Sequence, residues 1–163
     1  MKKEIPILEV KNLRYSFFSK EGETQAVRGI SFNLQKGCSL GVVGESGCGK
    51  SVTFQSIFGL APSPPGKLIE GEIFFNGLNL RQLDQETRKK VIGKEIGFIF
   101  QDPMSALNPT MTIGDQIGES LKIHSDLSAK EIKRLTIDVL RKVEIVNPES
   151  RLHQYPFEFS GGM

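Results

Sequence analysis

Residues Gly44 to Ser51 read Gly-Glu-Ser-Gly-Cys-Gly-Lys-Ser, and they have the types and spacing of a loop that cradles phosphate groups. Glycines lack a Cβ atom, so the backbone can adopt positive φ angles and bring its N–H groups close to phosphate oxygens. Lys50 offers a point charge to the terminal phosphates, and the Ser51 hydroxyl is placed to bind Mg²⁺. The pattern therefore predicts a site for a nucleotide polyphosphate and its Mg²⁺ ion.

The segments on either side of this loop support that interpretation. The apolar run Leu40–Val43 predicts a strand before the loop, and a helix is expected from about Gly49 to Phe58, ending at Gly59. A phosphate loop between a strand and a helix offers its N–H groups at the helix N-terminus. The residues expected to contact ATP here are Gly44, Glu45, Ser46, Gly47, Cys48, Gly49, Lys50, Ser51 and Val52.

Further apolar patterns predict strands around the loop. Residues 7–17 are expected to be extended with one apolar face, and Ile30, Phe32 and Leu34 alternate as in a strand. Glu72–Gly77 predicts a strand that enters an Asn-Gly turn, and the apolar run Ile96–Phe100 predicts another strand. These segments together predict a β-rich first part.

Helical signals dominate the later part of the chain. Asp84 is expected to cap a short helix to about Val91, and the pattern becomes helical from Thr112. Ser128–Glu131 has the form of a capping box. The apolar stripe that follows is expected to face the core; its members are Ile132, Leu135, Val139, Leu140 and Val143.

Composition and charge narrow the functional classes. The chain has 163 residues, 21 Lys and Arg against 19 Asp and Glu, and therefore a net charge of +2, which favours no nucleic-acid partner. No signal peptide or membrane-spanning segment is expected, since no apolar stretch is long enough. Cys38 and Cys48 are the only cysteines, too few for a disulfide framework or a cysteine metal site.

Two more stretches carry a family resemblance when they are taken with the phosphate loop. Phe100 to Pro109 reads Phe-Gln-Asp-Pro-Met-Ser-Ala-Leu-Asn-Pro, and the chain reaches Ser-Gly-Gly-Met at residues 160–163. In this order the three stretches resemble the ATP-binding subunits of ATP-binding-cassette (ABC) transporters, and most closely the oligopeptide and dipeptide importer branch. The resemblance covers the chain from about Leu8 to Met163.

The resemblance implies roles for residues outside the loop. Gln101 would be the Q-loop glutamine, which reaches Mg²⁺ and the attacking water, and Lys50 would share in catalysis. Ser160, Gly161 and Gly162 would be the signature motif that closes on ATP held by an opposite subunit. Phe17 would stack on adenine, with Tyr15 as the alternative.

The implied fold is α/β: a P-loop NTPase core with an N-terminal antiparallel β portion and a helical subdomain. We expect a first domain over residues 1–111 and the helical subdomain over residues 112–163. The implied cofactors are ATP and Mg²⁺. The implied partners are a second ABC ATPase subunit in a homo- or heterodimer, transmembrane permease subunits and, indirectly, a solute-binding protein. The implied location is peripheral, on the cytoplasmic side of the inner membrane.

Some alternatives stay open from the residues alone. In an unrelated P-loop protein Asp102 could hold Mg²⁺ instead of Gln101. The chain could also act as a nucleotide-binding fragment without turnover, or as part of a soluble cassette ATPase working on DNA or ribosomes. In the family, an apolar strand ending in Asp-Glu (Walker B) and a switch histidine follow the signature motif. We therefore expect ATP hydrolysis from the complete family member and none from residues 1–163 alone.

Overall fold

The computed structural model describes residues 5–102 and 106–163. These residues divide into two compact units, 1–88 and 89–163. The expected domain boundary between residues 111 and 112 lies within the second unit and stays a prediction. Among the described residues, no helix is both long and apolar enough to span a lipid bilayer.

The first unit is built on four antiparallel strands with one helix packed against them. The strands are β1 (Leu8–Ser19), β2 (Gly22–Leu34), β3 (Gly66–Phe75) and β4 (Leu78–Asn79), in the sheet order β2-β1-β3-β4. Helix α1 (Lys50–Phe58) follows the phosphate loop. The expected strands over residues 7–17, 30–34 and 72–75 are confirmed, and so is the Asn76-Gly77 turn, where both residues have positive φ angles.

The core of this unit lies beneath the central strand β1. Leu13 of β1, Ile73 of β3 and Ile57 of α1 are fully buried. The ring of Phe54 on α1 lies 6.1 Å from that of Phe32 on β2. Burial of these apolar side chains attaches the helix to the sheet, so the start of α1 has a fixed position relative to β2.

Helix α2 (Gln85–Glu95) starts where the sequence predicts. The Asp84 carboxylate accepts a hydrogen bond from the backbone N–H of Thr87 at 2.9 Å. Hydrogen bonding from the Thr87 side chain, followed by that from its backbone N–H, lowers the pKa of Asp84. The predicted end near Val91 is wrong, because the helix continues through Gly93. A Cβ at Gly93 would lie 2.7 Å from His124 Nε2, so glycine there leaves room for the His124 ring in its present position.

The rest of the second unit is helical. It contains α3 (Ile113–His124), α4 (Ala129–Lys142), α5 (Pro148–Arg151) and a 3₁₀ turn over Pro156–Glu158. Ile113, Leu140 and Leu152 form its buried cluster. The predicted helical pattern from Thr112 is confirmed, since the Thr112 side chain caps α3.

The capping box at Ser128 and Glu131 is also confirmed, with both reciprocal bonds formed at the start of α4. The predicted core stripe of α4 is only partly right. Ile132 and Leu140 are buried, whereas Val139 and Val143 are exposed. The buried row runs through Thr136, whose hydroxyl donates to the Ile132 carbonyl, so a polar residue occupies a core position.

The strands predicted for Leu40–Val43 and Ile96–Phe100 are wrong for this structure, because neither segment forms a hydrogen-bonded strand. A strand needs a neighbour that completes its ladder of hydrogen bonds. Neither segment has one within residues 5–102 and 106–163, and the side chains of Val43 and Ile99 are 97% and 93% exposed.

Candidate nucleotide site

The phosphate loop ends in a helix whose first turn is shaped by glycine. Gly47 and Gly49 have φ angles of 80° and 93°, and Gly49 is the left-handed residue immediately before α1. A Cβ at Gly49 would lie 2.5 Å from the Ala26 carbonyl oxygen of β2. Only glycine therefore combines this backbone conformation with this close approach between loop and sheet.

Lys50 folds back over the loop. Its ammonium donates hydrogen bonds to the carbonyl oxygens of Gly44 at 2.7 Å and Glu45 at 2.6 Å, and it lies 3.5 Å from Cys48 Sγ. The first turn of α1 carries no acidic residue that would oppose an anion. The positive charge and the helix N-terminus therefore act on the same small volume, which suits a polyphosphate.

The geometry of the loop around Gly44 and Ser51 bears on whether MgATP would fit there. A Cβ at Gly44 would lie 2.7 Å from Cys48 Sγ, so a larger residue there would displace the Cys48 side chain from the loop. Ser51 is exposed in the first turn of α1, with its hydroxyl available as an oxygen ligand. Among the described residues no group of three or more His, Cys, Asp or Glu side chains could hold a metal ion. In the loop, the Ser51 hydroxyl would bind Mg²⁺ beside phosphate oxygens.

Two aromatic residues were alternatives for stacking on adenine. Tyr15 is 3% exposed, its hydroxyl donates to the Pro62 carbonyl at 2.8 Å, and burial raises its pKa. Phe17 is half-buried, and its ring makes an edge-to-face contact with the ring of Tyr15, with the centroids 5.4 Å apart. It pairs with Thr24, two residues before Ala26, so its strand approaches the loop. This arrangement favours Phe17, whose role stays a prediction.

The remaining predicted site residues lie in the second unit. Gln101 and Asp102 are exposed in a bend, and the adjoining Pro103, Met104 and Ser105 fall outside the described residues. Ser160 is exposed, and its carbonyl accepts a hydrogen bond from the Met163 N–H at 2.9 Å, which closes a turn around Gly161 and Gly162. The structure thus assembles Gly44–Val52 into one cradle, whereas Gln101 and the signature residues lie on separate loops of their own unit.

Sequence reasoning missed Arg88, which contacts helix α1 at the end opposite the phosphate loop. Helix α1 has no basic residue in its last turn, and Arg88 of α2 approaches that end instead, with Nη2 3.5 Å from the Ile57 carbonyl oxygen and beside Gly59. Burial, followed by the nearby Arg81, lowers the pKa of Arg88. A cation at a helix C-terminus stabilises the helix dipole. Arg88 and Ile57 are 31 positions apart in the sequence, which explains why no local pattern indicated the contact.

Comparison with known proteins gives consistent results. The sequence model described as ABC transporter matches residues 27–163. The chain is 52% identical over 157 residues to the oligopeptide transport ATP-binding protein OppD of Bacillus subtilis, covering 96% of this chain and 44% of OppD. It is 49% identical to the dipeptide transport ATP-binding protein DppD of the same organism, covering 96% of this chain and 47% of DppD. The chain thus spans about half the length of these relatives.

Solved structures agree on the fold. The dimeric structure of MJ0796, a bacterial ABC transporter cassette, superposes with a TM-score of 0.80 at 24% sequence identity. The match covers 94% of this chain and 63% of the MJ0796 chain. A second MJ0796 structure, of a post-hydrolysis state bound to ADP and Pi, gives the same TM-score and coverage. The fold is therefore that of an ABC ATPase cassette.

Proposed function

The chain belongs to the ABC transporter family, and we propose that it is the ATP-binding part of an importer subunit for peptides or similar solutes. The observation that carries this proposal is the phosphate-binding loop from Gly44 to Ser51. In it, Gly49 lies close to the Ala26 carbonyl, and the Lys50 ammonium donates a hydrogen bond back to the Gly44 carbonyl. The names of the relatives in Bacillus subtilis, which are oligopeptide and dipeptide transport proteins, support the solute class.

Each residue of the cradle has a task that follows from its chemistry. The loop N–H groups and Lys50 would hold the β- and γ-phosphates, and the ammonium would exchange its contacts with the Gly44 and Glu45 carbonyls for phosphate oxygens. Mg²⁺, when bound, neutralises charge on the phosphates. Ser51 would supply one of its ligands, and the half-buried ring of Phe17 would stack on adenine.

Hydrolysis in the complete protein would need groups beyond the cradle. Gln101 would orient water near the Mg²⁺ ion, and Ser160, Gly161 and Gly162 would present a hydroxyl and N–H groups to the ATP of a second subunit. We infer that such a pair, homo- or heterodimeric, works with permease subunits as a peripheral component on the cytoplasmic side of the membrane. Phosphoryl transfer depends mainly on positioning and charge, so small displacements of these groups would be costly.

Substitution of Lys50 tests the nucleotide site. Removal of a charge-assisted phosphate contact costs about 1.5–3 kcal/mol, so Lys50→Ala should weaken MgATP binding roughly 10- to 150-fold. Isothermal titration of the purified chain with MgATP measures this change. Lys36→Ala, at an exposed turn before the loop, is the matched control and should bind like the wild type. Equal affinities for Lys50→Ala and Lys36→Ala would contradict the proposed site.

The transport role needs a separate experiment in cells. In a strain that lacks its own peptide-import ATPase, the complete gene should restore uptake of a labelled dipeptide, and the Lys50→Ala version should not. Nucleotide binding without restored uptake would favour the alternatives, a nucleotide-binding fragment or a cassette ATPase that acts outside transport.

A further inference from the structure

A groove of about 250 Å³ lies between α3 and α4 in the second unit. Its floor contains Gly118 of α3 together with Ile132 and Thr136 of α4, and all three residues are buried. A Cβ at Gly118 would lie 3.2 Å from Ile132 Cγ2, so the two helices pack closely along this floor. Since an apolar cavity of about 150 Å³ can hold benzene, the groove has room for a ring and one attached group.

The floor of the groove favours an apolar ligand. Ile132 and Leu152, which line it, are 7% and 4% exposed. Thr136 adds a hydroxyl, but this hydroxyl already donates a hydrogen bond to the Ile132 carbonyl at 2.8 Å. Within residues 5–102 and 106–163, no buried side-chain nitrogen or oxygen of the groove lacks a partner. An apolar group on this floor would therefore break no hydrogen bond and would be removed from water.

The rim of the groove carries more positive than negative side chains. Lys122 of α3, Lys133 of α4 and His153 line it, and Asp115 is the carboxylate among the described lining residues. The Asp115 Oδ2 accepts a hydrogen bond from the Thr112 hydroxyl at 2.8 Å, and its Oδ1 lies 4.0 Å from Lys122 Nζ. Lys133 forms no ion pair in the part of the chain that the structure describes. The rim is therefore suited to an anion.

The contact between Lys122 and Asp115 is weak enough to be exchanged for a ligand. Both side chains are more than half exposed, and an exposed ion pair contributes little to stability. Gly118 lies between them on the same helix face, because residues three and four positions apart are neighbours on a helix. Glycine has no side chain, so the floor stays open between these two charged residues.

We propose that this groove binds a small organic carboxylate with a compact apolar body, of about the size of phenylacetate. The apolar body would lie on the floor against Ile132 and Leu152. The carboxylate would accept hydrogen bonds from the ammonium groups of Lys122 and Lys133. Each ammonium is a point charge on a flexible stem, so it can turn toward a ligand. Because contacts between exposed ions are weak, binding requires both the charge and the apolar body.

Three ligands separate these two contributions. In NMR titrations of the purified ¹⁵N-labelled chain, phenylacetate should give saturable shifts at the amides of Gly118, Ile132 and Leu152. The uncharged analogue 2-phenylethanol keeps the ring and should bind at least tenfold more weakly. Acetate keeps the charge without the ring and should give no saturable shift at these amides.

Matched variants place the ligand in the groove. Lys122→Gln and Lys133→Gln should each raise the dissociation constant for phenylacetate at least fivefold. Lys130→Gln is the control, because Lys130 is exposed on the same helix and does not line the groove, and it should bind like the wild type. Ala129→Leu adds bulk at an exposed lining position and leaves the buried floor unchanged, so it should weaken binding at least tenfold. The NMR spectrum of each variant checks that it is folded.

Several results would overturn this inference. They are shifts that never saturate with phenylacetate, equal affinity for phenylacetate and 2-phenylethanol, equal affinity of Lys133→Gln and Lys130→Gln, and full affinity in Ala129→Leu. None of the lining residues belongs to the phosphate loop, so each of these results would leave the proposed nucleotide function intact.

Discussion

At the residue scale, the phosphate loop exposes a thiol that can report on nucleotide binding. Cys48 is exposed and its Sγ lies 3.5 Å from Lys50 Nζ, within the cradle itself. Cys38 is also exposed but precedes the loop. The chain therefore contains a thiol inside the site and a second thiol outside it that can serve as an internal control.

We predict that saturating MgATP protects Cys48 from a bulky maleimide. At 100 times the dissociation constant only about one site in a hundred is free, so labelling should slow about 100-fold. Mass spectrometry of the time course measures both cysteines, and the rate at Cys38 should not change. Labelled protein should also lose nucleotide binding. Labelling of Cys48 that ignores ATP would place the nucleotide elsewhere.

The sequence predicted these residues because the loop is contiguous and its chemistry is local. Glycine positions, the lysine and the serine can all be recognised within eight residues. Ala26 and Arg88 could not be predicted this way. Ala26 acts through its backbone carbonyl, which any residue has, and Arg88 meets the end of α1 only after the chain has folded.

At the element scale, Gly49 joins the loop, the sheet and the start of α1. We predict that Gly49→Ala destabilises the first unit by more than about 1 kcal/mol, because an alanine in the left-handed region costs about 1–2 kcal/mol and its Cβ would also meet the Ala26 carbonyl at 2.5 Å. Nucleotide binding should fall with it. Urea unfolding followed by far-UV circular dichroism measures the change, since the chain has no tryptophan.

Gly97→Ala is the matched control for this substitution. Gly97 has no positive φ, and a Cβ there would meet no atom within 4 Å. This variant should unfold close to the wild type. If Gly49→Ala and Gly97→Ala had the same stability, the close approach of Gly49 to the Ala26 carbonyl would make no contribution to the free energy of unfolding.

The capping box of α4 gives a prediction for stability and its pH dependence. Ser128→Ala should lower the free energy of unfolding of the second unit by about 0.5–2 kcal/mol. The Ser128 hydroxyl and backbone N–H both bond to the Glu131 carboxylate, and these bonds lower the pKa of Glu131. This contribution is present above the unfolded-state pKa of about 4.3 and is lost as pH falls through the lower folded-state pKa.

Urea unfolding between about pH 3 and pH 7 checks both parts of this prediction. The difference between wild type and Ser128→Ala should shrink toward the acid end, because the protonated Glu131 no longer accepts these bonds as an anion. Ser125→Ala, at the C-terminal end of α3, is a control that lacks a carboxylate partner. A difference independent of pH would mean that Glu131 does not contribute to the cap.

Local signals also explain which elements could be predicted. The hairpin at Asn76-Gly77 and the cap at Ser128 depend on a few adjacent residues, and both were predicted correctly. The apolar segments 40–43 and 96–100 were not, because a strand requires a partner as well as a composition. The buried face of α4 was partly missed because Thr136 satisfies its own hydroxyl on the Ile132 carbonyl and can then be buried.

At the scale of the whole molecule, family and fold could be predicted from three motifs in the right order. The motifs could not predict how the side chains that would bind Mg²⁺ and ATP are arranged in space. The predicted Mg²⁺ ligands are a hydroxyl and an amide, Ser51 and Gln101. Mg²⁺ in proteins is usually bound through at least one carboxylate in addition to phosphate. Within the described residues no group of three or more His, Cys, Asp or Glu side chains could hold a metal ion.

We therefore predict that a polypeptide limited to residues 1–163 binds MgATP and does not hydrolyse it above background. The cradle is sufficient for binding, whereas turnover needs charge neutralisation and an oriented water molecule. An ATP-induced dimer should also be absent, because Ser160, Gly161 and Gly162 are exposed and a Cβ at either glycine would meet nothing within 4 Å. N–H groups in an unrestrained terminal turn do not hold fixed positions for a phosphate.

Phosphate release and sedimentation with MgATP measure these two outcomes. The positive control is the Bacillus subtilis OppD chain at its full length, of which this chain covers 44%. The negative control is Lys50→Ala, which sets the background because it weakens binding itself. Turnover that depends on Lys50, or a dimer that forms only with ATP, would show that residues 1–163 already contain a complete hydrolytic site. Mg²⁺ would then have to be held by phosphate oxygens and by groups within residues 1–163, such as Ser51, Gln101 or Asp102, and the expected need for a later Asp-Glu segment would be refuted.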